Sequence, residues 1–333
     1  MTGKRLYAVV KANAYGHGAE EVVNALESIA DGFAVALIDE ALEIRAAACG
    51  KEILVLTPPV NAGEALALAE NGFSVCVPDL WTAKLLVGVC EKYRLTARAH
   101  LKGNTGMNRY GMELAELKTV CAFLRDNPFV RVQGLYSHLY GSDVQSADAQ
   151  RLRFLQMQAV CKRSFPNAVC HLSATFGALL GKAFHFDGVR IGLGLYGYLP
   201  SGISGSALQR GEALNLQKAM TVYATTVVNR KIEYGGVGYG NTLSKRELAE
   251  SANVHVCRFG YADGFLRRRE NGVDGWTKLA NNLCMDACIR KGVAERGGLV
   301  PVMTDAAATA AQTGTIAYEV LCAATRRAEF VYE

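Results

Sequence analysis

The stretch Ala8-Val9-Val10-Lys11-Ala12-Asn13-Ala14-Tyr15-Gly16-His17-Gly18 puts a lysine where an apolar run stops. Leu6 to Val10 has the composition of a buried strand, and a Gly-His-Gly turn leads into a helical pattern from Ala19. Burial disfavours the ammonium form, so a lysine at the carboxyl end of a buried strand is expected to have a lowered pKa. Its free amine is the nucleophile that forms Schiff bases with carbonyl groups. A lysine that snorkels from the strand end into water is the plainer alternative, so the decision rests on what else the chain brings to the same level.

Several polar residues stand at equivalent points. Lys102 ends another strand-like run and is followed by Asn104-Thr105-Gly106-Met107-Asn108-Arg109. His138 and His171 end two more, with Ser173 and Thr175 just beyond the second, and Arg190 opens Arg190-Ile191-Gly192-Leu193-Gly194. The glycines at 192 and 194 leave backbone amides open to an anion such as a phosphate. Each residue has a plainer explanation when taken alone. His138 and His171 are satisfied core histidines, Arg190 pairs with Asp187, Lys102 pairs with a neighbouring carboxylate, Tyr239 is a turn tyrosine between glycines, and Tyr318 is a strand aromatic. Polar residues at one end of at least five strands are hard to account for as packing.

The elements that would carry them alternate. Strands are expected at 5–10, 33–37, 53–57, 74–77, 96–102, 131–138, 168–173 and 187–196. Helices are expected between them at 19–29, 39–48, 62–71, 80–93, 113–125, 147–164 and 176–183. Such alternation predicts an α/β fold, a parallel (β/α)8 TIM barrel with its chemistry at the carboxyl ends of the strands. No GxGxxG follows the first strand, which argues against a doubly wound dinucleotide fold. The texture changes at the linker-like Leu199-Pro200-Ser201-Gly202-Ile203-Ser204-Gly205-Ser206. Alternating stretches follow at Met220–Val228, Val254–Phe259 and Ile316–Cys322 and predict a smaller, mostly-β domain. The expected division is therefore a barrel domain over 1–205 and a β domain over 206–333.

Composition narrows the function classes. Of 333 residues half are hydrophobic, enough for a large core, and the net charge of +5 is scattered. The densest basic run, Arg267-Arg268-Arg269, reads as a solvated loop, so no nucleic acid is expected as a partner. Ten cysteines without a CxxC pair read as reduced thiols, no metal site is expected, and neither a signal peptide nor a membrane segment is discernible. The expected location is the cytoplasm.

Read together, these motifs resemble the fold-type III alanine racemases, which use pyridoxal 5′-phosphate (PLP). The resemblance rests on the lysine stretch above, and on Thr105-Gly106-Met107-Asn108-Arg109, Val189-Arg190-Ile191-Gly192 and Val237-Gly238-Tyr239-Gly240. It continues in Gly260-Tyr261-Ala262-Asp263-Gly264, Cys284-Met285-Asp286 and Ile316-Ala317-Tyr318-Glu319. It implies that Lys11 binds PLP through a Schiff base and serves one face of the substrate α-carbon. Tyr239, from the second subunit of a homodimer, would be the base on the other face. Tyr15, Thr175, Gly192, Leu193 and Tyr318 would surround the phosphate. Arg190 would face the pyridine nitrogen with His171 bonded to it, and His138 would stack near the ring. Arg109 and Met285 would hold the substrate carboxylate, and Lys102 matches a lysine that is carbamylated in some members.

The resemblance also implies a segment ahead of the lysine strand, so domain 1–205 reads as shortened at its start, and 272–283 and 293–304 read as compressed. Asn104 stands for a common aspartate, and Ala174-Thr175 for a common Asn-Ser pair. The implied reaction interconverts L- and D-alanine and would supply D-alanine for peptidoglycan. Asn282-Leu283-Cys284-Met285-Asp286 also resembles serine racemases linked to vancomycin resistance, but a tyrosine at 318 crowds a hydroxymethyl group, which favours alanine. From other classes, a PLP-binding regulatory barrel would lack the second domain. A decarboxylase would use a carboxylate where Arg190 stands.

Overall fold

The computed structural model describes residues 3–141, 143–239, 253–267 and 282–333. The chain divides into two compact units, residues 1–14 with 18–216, and residues 15–17 with 217–333. Three sequence features lie wholly or partly outside the described residues: Arg268 and Arg269 of the basic run, Gly240 of the Gly-Tyr-Gly motif, and most of the stretch 272–283.

In the first unit β1 (Arg5–Val9), β2 (Gly32–Val35), β3 (Glu52–Val55), β4 (Ser74–Val77), β5 (Ala97–Lys102), β6 (Val130–Tyr136), β7 (Val169–His171) and β8 (Gly188–Ile191) form a closed parallel barrel in chain order. β1 closes onto β8 in the register Leu6↔Val189 and Tyr7↔Arg190. β2 and β4 are buried along their whole length, as expected of strands covered on both faces. The crossovers carry α1 (Ala19–Leu26), α2 (Ile38–Glu43), α3 (Ala62–Glu70), α4 (Leu80–Tyr93), α5 (Leu114–Leu124), α6 (Val144–Ser164) and α7 (Thr175–Leu179). Their starts are chemically marked. Asn61, Asp79 and Asp143 each accept a backbone N–H of the first turn, a cap worth about 1 kcal/mol. The expected barrel is thus the observed one. Every strand but β4 is shorter than expected, β8 most of all, because at Gly192 (φ −116°, ψ −92°) the chain leaves extended geometry and Leu193–Tyr196 coil into a 3₁₀ turn. Helix α8 (Gly205–Ala213) belongs to this unit, although the expected boundary stood at 205/206. Arg210 fastens it by donating to the carbonyls of Leu179 and Leu180.

The second unit holds a four-stranded antiparallel sheet in the order β11 (Cys288–Lys291), β10 (Asn253–Cys257), β9 (Val222–Lys231), β12 (Leu299–Met303). Val237, Val254, Ile232 and Ile289 pack together, and Phe259 meets Phe265 edge to face at 4.6 Å. Helices α9 (Ala306–Thr313) and α10 (Ala317–Ala323) follow. The latter corrects the expectation of a strand at Ile316–Cys322. Ala317, Val320 and Leu321 are buried at helical spacing, and alternation over so short a run does not separate the two periods. All ten cysteines are free thiols, most of them buried. Among the described residues no helix is long and apolar enough to cross a membrane.

Candidate active site

The barrel brings its polar residues to one end because residues two apart on a strand share a face. Along β5, Arg98, His100 and Lys102 alternate with alanine and leucine, and Lys102 arrives at the carboxyl end. It is 5% exposed, with Nζ 4.5 Å from the centre of the Tyr136 ring. Burial, reinforced by the nearby Arg190 charge, holds its pKa well below that of an ordinary lysine.

Arg190 is the hub. The guanidinium is 3% exposed and donates to five acceptors. Nη1 donates to Nδ1 of His171 (3.0 Å) and to its carbonyl (2.9 Å). Nη2 donates to the carbonyls of Ser137 (2.6 Å) and Leu172 (3.1 Å) and to Nδ1 of His138 (3.3 Å). Burial lowers its pKa to about 10, which leaves it cationic at neutral pH. Asp187, the partner in the plainer alternative, is engaged elsewhere, with Lys162 at 3.1 Å and the Cys170 amide at 2.9 Å. The buried cation is therefore held by carbonyls and imidazoles, which fix its direction without neutralising it. Burial, followed by the charge of Arg190, pushes both His138 and His171 well below the ordinary imidazole range, so both are neutral. Lys102, Arg109 and Lys11 add to the effect at His138.

Lys11 does not sit within β1. Val10 separates it from the strand, and it opens a helical turn, Lys11–Gly16, of the wrong hand. Ala12, Asn13, Ala14 and Tyr15 have φ of 52°, 52°, 52° and 55°. Left-handed geometry costs roughly 1–2 kcal/mol per residue, so the surroundings must impose it. They do so with short hydrogen bonds. Ala14 N–H donates to the Val10 carbonyl at 2.8 Å, and Asn13 Oδ1 accepts from Ala19 N–H at 2.6 Å. Glu40 accepts Ala12 N–H on one oxygen (2.7 Å) and Ala36 N–H (2.6 Å) and Leu37 N–H (3.1 Å) on the other. The half-buried Lys11 is thereby anchored at the strand end on a rigid backbone.

The other expected residues fall into smaller groups. Thr175, buried at the start of α7, accepts the Gly194 amide on Oγ1 at 3.2 Å, beside Gly192 and the buried Leu193. Arg109 is exposed, with its guanidinium carbon 5.6 Å from the Tyr110 ring centre. In the second unit Tyr15 and Tyr318 lie with ring centres 5.9 Å apart, and burial raises both phenol pKa values. Tyr239 is 62% exposed, and its carbonyl accepts from Asn282 Nδ2 at 2.9 Å. Met285 is 54% exposed, and its carbonyl accepts from Ala262 N–H at 3.0 Å. Sequence reasoning passed over Tyr7, Glu52, His100 and Tyr136, all tied into the cluster below Arg190. The signal was available for His100, midway between Arg98 and Lys102 on a strict period of two.

A closed (β/α)8 barrel with a lysine at the end of its first strand and a caged arginine at its eighth, followed by a second domain with an antiparallel sheet, defines a class of two-domain barrel enzymes. The comparisons specify which. The model for the N-terminal domain of alanine racemase matches residues 1–200, and that for the C-terminal domain matches residues 219–332. The chain is 34% identical over 350 residues to the alanine racemase of Lactobacillus delbrueckii subsp. bulgaricus, covering 99% of this chain and 91% of that protein. It is 34% identical over 335 residues to that of Pseudomonas taetrolens, covering 97% and 90%. The solved alanine racemase of Streptomyces coelicolor A3(2) superposes with a TM-score of 0.84 at 29% identity, covering 97% of this chain and 90% of that one. The chain belongs to the alanine racemase family, enzymes of the isomerase class.

Proposed function

We propose that this protein interconverts L- and D-alanine with PLP as cofactor, using Lys11 and the partner subunit's Tyr239 as bases on opposite faces of the α-carbon. The observation that carries the proposal is the caged, cationic Arg190 at the same barrel end as Lys11. The residues fit the cofactor's chemistry. Lys11 supplies the amine for its aldehyde, and Thr175 with the backbone at Gly192 and Leu193 supplies a small polar cradle for an anion. Tyr15 and Tyr318 are the phenols that the family resemblance adds at the phosphate, and Arg190, whose Nη1 and Nη2 are already engaged, has its Nε–H for a pyridine nitrogen. PLP, when bound, provides the electron sink that makes the α-proton removable.

The chain's own residues account for the rest. Arg190 cannot readily give up a proton, so it would hydrogen-bond the pyridine nitrogen of a bound cofactor without protonating it, which would restrain charge delocalisation into the ring and suppress side reactions such as transamination. His138 lies beside Arg190 as a neutral ring suited to stacking. Arg109 and the partner's Met285 hold the substrate carboxylate. Lys102, with its amine form favoured by burial, has the property that combination with carbon dioxide requires, and a carbamate there would orient Arg109. Tyr239 takes the proton on the L face and Lys11 on the D face, so the substrate need not turn over. The exposure of Tyr239 and Met285 in the single chain supports a homodimer in which each completes the partner's site. A supply of D-alanine for peptidoglycan in the cytoplasm follows as the physiological reading. The test is direct: the purified chain with PLP should convert L-alanine to D-alanine and develop a visible cofactor band, and Lys11→Ala should lose both. A Lys11→Ala variant that keeps a band resistant to dialysis would move the anchor to another lysine.

A further inference from the structure

Beneath Arg190 a chain of hydrogen bonds runs the length of the barrel. His171 Nε2 lies 2.9 Å from His100 Nδ1, and His100 Nε2 lies 2.7 Å from Oε1 of Glu52 at the opposite, amino-terminal end of β3. Its proton pattern is determined. Arg190 can only donate, so His171 Nδ1 must accept, and a neutral imidazole then carries its proton on Nε2. That proton makes His100 Nδ1 an acceptor, so His100 carries its own proton on Nε2 and donates to Glu52. Every donor points away from the active site and the chain ends on a carboxylate.

We infer that Glu52 is a positioning residue: as the terminal acceptor of the His100 Nε2 proton it holds the two imidazoles in line and so the orientation of Arg190. Two independent features of the packing support this. Gly134 faces the His100 ring so closely that a Cβ would lie 2.4 Å from Nδ1, so the strand is built to admit the imidazole. Tyr7 donates its hydroxyl to the second Glu52 oxygen at 2.9 Å and also stacks on His171, ring centres 5.0 Å apart. The same carboxylate therefore steadies His171 by two routes. Burial works against the charge of Glu52, yet the bonds from His100, Ser74 and Tyr7 hold its pKa at about 2.

The proposal rests on the assignment of Arg190 to the cofactor only for its effect on binding; the tautomers can be read separately. Nitrogen-15 NMR of the full-length chain, before and after PLP is added, should show pyrrole-like Nε2 and pyridine-like Nδ1 in both His100 and His171. Glu52→Leu leaves the His100 Nε2 proton without its acceptor, so the Nε2 resonance of His100 should lose its hydrogen-bonded shift and PLP binding should weaken about 10–100-fold, the range seen when the hydrogen-bond partner of a ligating group is removed. Glu52→Gln, whose carboxamide oxygen still accepts, should keep the tautomers and bind PLP within about threefold of the parent, a loss well under that range. A proton on Nδ1 of His171 in the parent chain, or a His100 Nε2 resonance unchanged in Glu52→Leu, would overturn the inference. If Glu52→Leu does not fold, the parent tautomers and the Gln variant still decide it. Intact tautomers with no effect on PLP would instead count against the role given to Arg190.

Discussion

Charge placement governs individual residues here. Among the barrel groups held away from their ordinary titration are His138 and His171, below the imidazole range, and Glu52, at about 2. All three shifts have one sign for stability. The unfolded state binds protons first as pH falls, so folding free energy is full above the unfolded pKa values and is lost on acidification. The histidine contribution should begin to fade below about pH 6.5, and that of Glu52 below about 4.5, the latter worth roughly 3 kcal/mol. Denaturant titrations of the parent and of Glu52→Gln at several pH values should show a gap that is widest above pH 5 and closes toward pH 2; a constant gap would refute the assignment. Lys102 allows a second test. With labelled bicarbonate, carbon-13 NMR should reveal a carbamate resonance that disappears in Lys102→Ala. If parent and variant spectra are identical, the carbamate is absent and Arg109 is oriented by other means.

At the scale of elements, the barrel was legible because most strands are short apolar runs and three of the helices between them begin at a capping Asn or Asp. The candidate site was legible to the extent that its residues fall at strand ends, as Lys102, His138, His171 and Arg190 do. Three features were not. The left-handed turn after β1 leaves no periodicity, because Ala12, Asn13 and Ala14 are imposed on by distant partners such as Glu40. Glu52 went unremarked because only the fold sets it against His100, far away in sequence. Tyr318 was assigned to a strand because a helix of only seven residues and a short alternating run look alike in sequence. The turn is testable. Glu40→Ala leaves three backbone donors without their acceptor and should cost about 1–3 kcal/mol in chemical denaturation. It should also slow PLP incorporation by releasing the backbone beside Lys11, and parent-like stability would mean that the turn holds without Glu40.

For the whole molecule, the central claim is that two bases, one from each of two domains, act on opposite faces of one carbon. Sharing across a homodimer predicts complementation: mixing inactive Lys11→Ala with inactive Tyr239→Phe under conditions where subunits exchange should restore part of the activity, because each hybrid contains one intact site. Persistent inactivity in demonstrated hybrids would mean that both residues serve the same chain. The most direct measurement is α-carbon exchange in deuterated water by Tyr239→Phe, which keeps the ring and loses the acid–base group. Mass spectrometry should find deuterium still entering D-alanine by way of Lys11. Exchange into L-alanine should fall much further, and net racemisation should nearly cease. Equal loss of exchange from both enantiomers, with PLP still bound, would contradict the assignment of one base to each face.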